Sequence, residues 1–366
     1  MTASRCAIEN PLKLVGGNYG GRKILTPFSQ PFRKSGNLFT QMNRSLVKFS
    51  NVQMAEPRWG RFFGMTIRRA APFPVFFFRR KLFGQKIPLL ASFKLTYRCN
   101  LSCLACPFHR RAEEERAHMS WSMARASLDV LKHAGALIVV FEGGEPFLWR
   151  DGRHDLRDLI DYARRLFPRV AVTTNGTFPL DVPADVLWVS LDGLREVHNR
   201  LRSGSFDKVW ANLRASRHRR LFVHFTINRE NRRDIRPLLK QLQEIPAFRG
   251  MTVQLFYPYG QGEAPLALSE RERRDVLEEV IEMKKQGLPI LNSTGRLRAM
   301  IQNDWRCHDD ILINVDPDGA ITRGCYVKSR GRINCQECGF SPVSEASGAL
   351  DLLLGSLKAG WSIFLK

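Results

Sequence analysis

The sequence predicts an α/β fold, an open parallel barrel of six strand-and-helix units. Three observations lead there. Between residues 90 and 260, short apolar runs alternate with stretches of helical period. The runs are apolar almost throughout, as strands buried on both faces are. Several end in glycine or small polar residues, where parallel α/β folds place their sites. Six units are too few to close an eight-stranded barrel. A doubly wound sheet shares the alternation, and periodicity alone does not separate the two.

The elements follow in order. "LLASFKLTY" reads as a first strand, ending at a cysteine-rich loop. "WSMARASLDVLKHAG" is helical, with Ser120 before it as N-cap and Gly135 as its stop. "ALIVVFEGG" is a short buried strand. "DLRDLIDYARRLF" is a helix and "RVAVTTNG" a strand. "ADVLWVSLDG" is a strand, "FDKVWANLRASRH" a helix, and "LFVHFTINRE" a strand. "RDIRPLLKQLQEI" is a helix and "GMTVQLFYPYG" the sixth strand.

The chain divides accordingly. Residues 1–89 form a basic, aromatic-rich region, and 90–265 the core. Residues 266–299 connect, through the charged amphipathic helix "SERERRDVLEEVIEMKKQG". Residues 300–345 hold a group of cysteines, and 346–366 an apolar tail that reads as a docking helix or an interfacial contact.

Composition excludes some classes. With 366 residues, 44% of them apolar, the chain can bury a large core. Eight cysteines are too few for a disulfide-dense scaffold, and no amino-terminal stretch has the order of parts of a signal peptide. A reducing, cytoplasmic setting is expected. Of the net charge of +22, residues 1–98 supply 18 Lys and Arg against Glu9 and Glu56. Within "PRWGRFFGMTIRRAAPFPVFFFRRKLFG", at 57–84, aromatics are interleaved with seven basic residues. No run there reaches the roughly 18–20 apolar residues that span a bilayer. The stretch suits an anionic membrane surface, which would make the protein peripheral on the inner face. It equally suits packing of its aromatics on the next domain, or a solvated arm. Nucleic acid is the weaker reading.

Seven of the eight cysteines fall into two groups. Cys99, Cys103 and Cys106 follow the first strand; Cys307, Cys325, Cys335 and Cys338 lie near the end. Such grouping suits metal sites. Thiolates favour zinc or iron–sulfur clusters. Three cysteines leave one iron of a [4Fe-4S] cluster open, whereas structural zinc wants four ligands, with His109 a possible fourth.

The Cys99-x3-Cys103-x2-Cys106 spacing resembles the signature of the radical S-adenosylmethionine (SAM) superfamily. The resemblance implies a partial (β/α)6 TIM-like barrel of the radical SAM type, with a small cysteine-rich C-terminal extension. It implies a [4Fe-4S] cluster whose open iron binds SAM, and reductive cleavage of SAM to a 5′-deoxyadenosyl radical. An electron donor such as flavodoxin or ferredoxin is implied as a partner. Tyr97 and Phe108 match the aromatics that accompany such loops. "EGGEP", with Gly143, Gly144 and Glu145, resembles the motif whose backbone and acid hold the ammonium of SAM. Glycine permits close backbone approach, and a carboxylate pairs with a cation. Thr174 and Asn175 in "TTNG" would line the SAM pocket, and Ser190 in "VSLDG" matches a position that touches the carboxylate or ribose. Asp192 would shape the rim and Arg202 would pair with the SAM carboxylate. His198 is more simply a structural hydrogen bonder. Asn228 and Gln254 are further pocket candidates, as polar residues on apolar strands. The likeness covers roughly residues 90–265.

The closing cysteines resemble the auxiliary-cluster extensions called SPASM or twitch modules, although Gly319 lies one residue further from Cys325 than is usual. Asp316 to Gly319 reads as a hairpin turn joining two short strands. One auxiliary [4Fe-4S] cluster fits four cysteines; a structural zinc is the alternative. For substrate, the basic aromatic segment and a loose likeness to radical SAM enzymes of hopanoid synthesis suggest a lipid or isoprenoid. The auxiliary extension suggests instead a peptide or protein. A non-enzymatic iron–sulfur protein is a third reading.

Overall fold

The computed structural model describes residues 69–106, 108, 111, 113, 117–259, 262–329 and 334–366. The expected turn-rich stretch before residue 57, the first part of the basic aromatic segment, Cys6 and His109 lie outside these. An opening helix, α1 (Pro72–Leu82), precedes the barrel strands β1 (Leu90–Thr96), β2 (Ile138–Gly143), β5 (Arg169–Thr174), β6 (Val186–Ser190), β7 (Leu221–Ile227) and β8 (Phe248–Leu255). These six pair in parallel in the order β1-β2-β5-β6-β7-β8. A two-residue hairpin, β3 (Arg150–Asp151) with β4 (His154–Asp155), stands apart.

The crossovers are α2 (Trp121–His133), α3 (Leu156–Leu166), α4 (Arg195–Leu201), α5 (Phe206–Ala215) and α6 (Ile235–Leu242). Their ends follow local chemistry. The Ser120 hydroxyl accepts the Met123 N–H at the start of α2, and Gly135 (φ +90°) lets the chain turn after it. Asp155 and Asp158 form a capping box on α3.

Alternation along each strand makes two cores. Phe93, Phe141, Val172, Val189, Phe225 and Val253 face the crossover helices, all buried with no exposure. The next residues along, Ser92, Thr173, Ser190, His224 and Gln254, face the concave interior. This resolves the ambiguity between barrel and doubly wound sheet, because only one face of the strands carries the crossover helices.

The last third departs from a plain six-unit reading. After α7 (Glu270–Lys285) and α8 (Thr294–Gln302), β9 (Leu312–Val315) pairs in parallel with the free edge of β1, and β10 (Ile321–Arg323) pairs antiparallel with β9. The sheet therefore has eight strands, in the order β10-β9-β1-β2-β5-β6-β7-β8. Asp316 to Gly319 forms the expected turn, with Gly319 at φ +83°. The tail is two helices, α9 (Ser341–Leu350) and α10 (Leu354–Phe364).

The amino-terminal mouth of the barrel is covered by Arg69 and α1 on one side and by the end of α10 on the other. Arg169, at the start of β5, donates to the Phe364 carbonyl, and Arg220, just before β7, to those of Ile363 and Lys366. Arg69 makes a two-pronged pair with Asp185 at 2.8 Å, ahead of β6. Phe73 and Phe76 of α1 are buried under the same mouth. No described helix is long and apolar enough to cross a membrane.

Candidate active site at the carboxyl end of the barrel

The cysteine loop leaves the carboxyl end of β1 and is pinned from several sides. The Tyr97 N–H donates to the Ala117 carbonyl (2.7 Å), and the Leu104 N–H to the Leu201 carbonyl (3.1 Å). The Tyr97 ring stacks on Phe108, with centroids 5.4 Å apart. Its hydroxyl donates to Asp316 (3.0 Å), whose carboxylate is also 3.0 Å from the buried Lys94 ammonium. The C-terminal hairpin is thus tied to the cysteine loop by a charged hydrogen bond beneath it.

The GGE segment follows β2. The Gly144 N–H donates to the Thr96 carbonyl (2.7 Å) and the Glu145 N–H to that of Arg98 (2.9 Å). Space for a side chain is absent at both glycines. A Cβ on Gly143, already at φ +120°, would lie 2.6 Å from the Thr96 oxygen, and one on Gly144 would lie 2.2 Å from the Arg98 oxygen.

A cavity of 820 Å³ runs along the barrel interior. Cys99, Cys103 and Cys106 line it, together with Gly143, Gly144, Thr174, Asn175, Ser190, Arg202, Asn228 and Gln254. Residues up to 155 positions apart in sequence therefore converge on one space, between Cys99 and Gln254. Asn175 links two of these groups: its side-chain amide reaches the Cys99 sulfur (3.6 Å) and the Asn100 oxygen (2.8 Å).

Glu145 is placed differently. It is fully buried and is not among the residues lining the cavity. Its carboxylate accepts from the Asn175 N–H (2.7 Å), the Thr174 hydroxyl (2.8 Å) and the Phe147 N–H (3.1 Å). Burial pushes it up to about 7 against these donors. Its observed work is to join the end of β2 to the end of β5.

Arg202 and Asp192 form the charged wall. The Arg202 Nε donates to Asp192 at 2.5 Å, and the other Asp192 oxygen accepts the Thr226 N–H at 2.7 Å. Burial by itself would lower the guanidinium, but the Asp192 carboxylate and the Cys103 sulfur more than offset this and hold it above its ordinary value. Asn228 makes a turn, its side-chain oxygen accepting from the N–H groups of Glu230 and Asn231. The Gln254 amide donates to the Thr226 hydroxyl (3.2 Å).

His198 is fully buried and not in the cavity wall; its Nδ1 accepts the Asp192 N–H (3.2 Å) and its Nε2 meets the Ser205 hydroxyl (3.1 Å). Burial, with the Arg202 charge, lowers it to about 4. The imidazole is therefore neutral in the folded chain at neutral pH. As pH falls below the ordinary value of about 6.5, the unfolded chain takes up a proton that the folded one refuses. Stability then declines by up to ~1.4 kcal/mol per pH unit until about pH 4. Glu145 opposes this between about 4.5 and 7, so the parent curve is a sum. The difference between the urea midpoints of the parent and His198→Gln, followed against pH, is expected to show the His198 slope alone.

The interior wall also carries residues that reading by strand did not single out. His224 bonds the Thr252 hydroxyl (2.9 Å), and Ser92 donates to Glu142. All four line the cavity. The signal was present: polar residues at every second position of otherwise apolar strands mark the interior face.

The donor sets match the implied clusters in chemistry, thiolates being the ligands that iron–sulfur clusters take. Burial pushes the Cys103 thiol up to about 11; Arg202 lowers it, while Cys106, Cys99 and Asp192 raise it further. Burial also raises Cys99. Half-buried thiols whose charges repel one another suit a cation that would take their protons' place. The Cys307 thiol is likewise raised, by burial, then Asp309, then Cys325, Cys338 and Cys335. Backbone bonds position that group: Arg273 donates to the carbonyls of Glu337 and Cys338, and Asn303 to that of Cys335. The seven described cysteines are free thiols, and among the described residues no three His, Cys, Asp or Glu side chains are close enough to hold a metal ion as they stand. None of the four closing cysteines lines the cavity, but their neighbours Tyr326 and Phe340 do.

Comparison with known proteins agrees with this geometry. The Fe-coproporphyrin III synthase of Methanosarcina barkeri (strain Fusaro / DSM 804) is 31% identical over 232 residues, covering 60% of this chain and 56% of that protein. An AdoMet-dependent heme synthase of the same organism is 26% identical over 281 residues, covering 70% and 78%. The antilisterial bacteriocin subtilosin biosynthesis protein AlbA of Bacillus subtilis (strain 168) is 26% identical over 239 residues, covering 60% and 52%. The chain thus spans little more than half the length of the first and third of these relatives. In fold it is similar to Streptococcus suis SuiB, solved with its precursor peptide SuiA, at a TM-score of 0.54 and 14% identity over 81% of this chain and 72% of that one. The radical SAM superfamily model matches residues 93–242, the span that carries the three-cysteine loop, the two glycines and the charged wall. Over that span the chain is similar to the radical SAM superfamily, and the likeness supports radical SAM enzyme activity.

Proposed function

We propose that this enzyme modifies a peptide or protein substrate by radical SAM chemistry. This replaces the expectation of a lipid or isoprenoid substrate, which the relatives overturn: AlbA is named for the biosynthesis of a bacteriocin, and the similar fold of SuiB was solved with a precursor peptide. The observation that carries the reading is the wall of the cavity. Tyr326 and Phe340, beside two of the closing cysteines, face the same 820 Å³ space as Cys99, Cys103 and Cys106. A substrate entering that space meets the first cysteine group directly and the second only through its neighbours Tyr326 and Phe340.

When bound, the three-cysteine [4Fe-4S] cluster and SAM supply one-electron cleavage of SAM and hydrogen abstraction from an unactivated C–H bond. The chain's own residues bind and orient. Cys99, Cys103 and Cys106 would hold the cluster. The backbone at Gly143 and Gly144 approaches closely because neither has a side chain. Arg202 offers a guanidinium to the SAM carboxylate, with Asp192 fixing its direction. Thr174, Asn175, Ser190, Asn228 and Gln254 present polar groups to the same space. Glu145 acts through Thr174 and Asn175, holding the end of β5 in place. Apolar wall residues such as Ile138, Val140 and Phe256 would help to exclude water from a reactive radical. A reduced flavodoxin or ferredoxin would supply the electron.

Cys307, Cys325, Cys335 and Cys338 would close an auxiliary [4Fe-4S] cluster, with structural zinc as its competitor. Two such clusters give about eight irons per chain. Anaerobically reconstituted Cys335→Ala is expected to keep about four and to melt at a lower temperature. An unchanged iron content of about four in both proteins, with one zinc in the parent, would assign the site to zinc.

A second reading is favoured by one finding: two of the relatives are named as synthases of iron tetrapyrroles. The two readings separate in one assay. The reduced protein is given SAM with either candidate precursor peptides from neighbouring genes or iron tetrapyrroles, and products are followed by mass. A peptide mass change supports the proposal; a change in the tetrapyrrole alone replaces it.

A further inference from the structure

α1 and α10 both lie across the amino-terminal mouth of the barrel; α1 turns a stripe of apolar side chains outward, and α10 adds Leu354. On α1, Phe73 and Phe76 face inward. Val75, Phe78 and Leu82, spaced three and four apart, face the other way and are 53%, 54% and 67% exposed. Phe83, itself exposed, packs edge-on against Phe78. The Lys81 ammonium is 3.8 Å from Asp351, which brings the end of α1 beside Leu352 and Leu354 at the start of α10. Leu354 is 82% exposed. Exposed apolar patches on this scale mark interaction surfaces.

The charge around the patch narrows the partner. Exposed Arg79 and Lys81 flank the α1 stripe. The 68 residues that enter α1 carry 11 Lys and Arg against Glu9 and Glu56, a balance of +9. A second copy of this face would set positive charge against positive charge, and the chain's own first 68 residues share that sign. We propose that this face docks on a bilayer surface bearing anionic head groups. The apolar stripe enters the boundary between head groups and acyl chains, and Arg79 and Lys81 reach the phosphates. The attachment is at the end of the barrel opposite the cysteine loop, so the carboxyl-end site stays open to a substrate from solution. The proposal does not depend on which substrate that is.

The test is co-sedimentation of the full chain with vesicles of mixed phosphatidylglycerol and phosphatidylcholine, and with phosphatidylcholine alone. The parent is expected to bind the anionic vesicles, to leave them as salt is raised, and to bind neutral ones weakly. The double variant Phe78→Glu, Leu82→Glu is expected to lose about tenfold or more in partition, with an unchanged thermal melt. Leu354→Glu, on the other helix, is an independent repeat. Parent and variants binding the anionic vesicles equally, or a parent that binds none, would overturn the proposal. So would a parent dimer that the variants dissociate, which would give the face to a second copy.

Discussion

Replacing Cys103 with alanine is expected to remove the cluster of the three-cysteine loop and with it SAM cleavage. Cys103 is half-buried in the cavity wall, where its thiol feels the charges of Arg202, Asp192 and the other two cysteines. Alanine leaves two sulfur ligands there. Production of 5′-deoxyadenosine should fall by more than ~100-fold, beyond what outer-shell changes cause. The iron of the closing cysteines should remain, so total iron should drop by about half rather than vanish. Iron analysis with product chromatography on the same sample checks both. Undiminished 5′-deoxyadenosine from the variant would exclude Cys103 as a ligand.

Gly144→Ala is expected to be nearly as damaging, although it touches no ligand. The added carbon would lie 2.2 Å from the Arg98 oxygen and 2.7 Å from that of Tyr97. Both are backbone atoms of the segment that enters the cysteine loop, so they cannot swing aside. Relief requires parting the end of β2 from that of β1, breaking the bonds from Gly144 to Thr96 and from Glu145 to Arg98. Overpacking of this kind costs about 1–3 kcal/mol or more. The loop it displaces carries Cys99, so incorporation of the first cluster should fail as well. Gly295→Ala is the control. A Cβ there meets nothing within 4 Å on a helix, and the change should be neutral or stabilising by no more than about 1 kcal/mol. Thermal melts and iron content of the two variants, side by side, check the contrast. Equal behaviour would mean that the close approach at Gly144 is not constraining.

Much of this was legible because it is local. The alternation of apolar runs and helical stretches lies in the order of residues, as do Ser120 as a cap and the spacing of Cys99, Cys103 and Cys106. What escaped is what depends on distant partners. Nothing near Leu312 announces that β9 will pair with the edge of β1, more than 200 residues earlier. The tie from Tyr97 and Lys94 to Asp316 spans similar distances. Glu145 shows a different limit. Its hydrogen bonds with Thr174 and Asn175 depend on how close the end of β5 comes to that of β2, and no pattern of residues reports that. The aromatic stretch at 57–84 allowed packing or an outward face as alternatives. Where it is described, α1 has both: Phe73 and Phe76 inward, Phe78 and Leu82 outward.

The central claim is that three thiols at the carboxyl end of this barrel hold a cluster that cleaves SAM. The most direct test is anaerobic reconstitution of the full chain, reduction, and addition of SAM, with 5′-deoxyadenosine measured over time against Cys103→Ala. The account predicts 5′-deoxyadenosine from the parent and background from the variant. A parent that takes up iron and binds SAM, yet forms no 5′-deoxyadenosine with any substrate supplied, would contradict it.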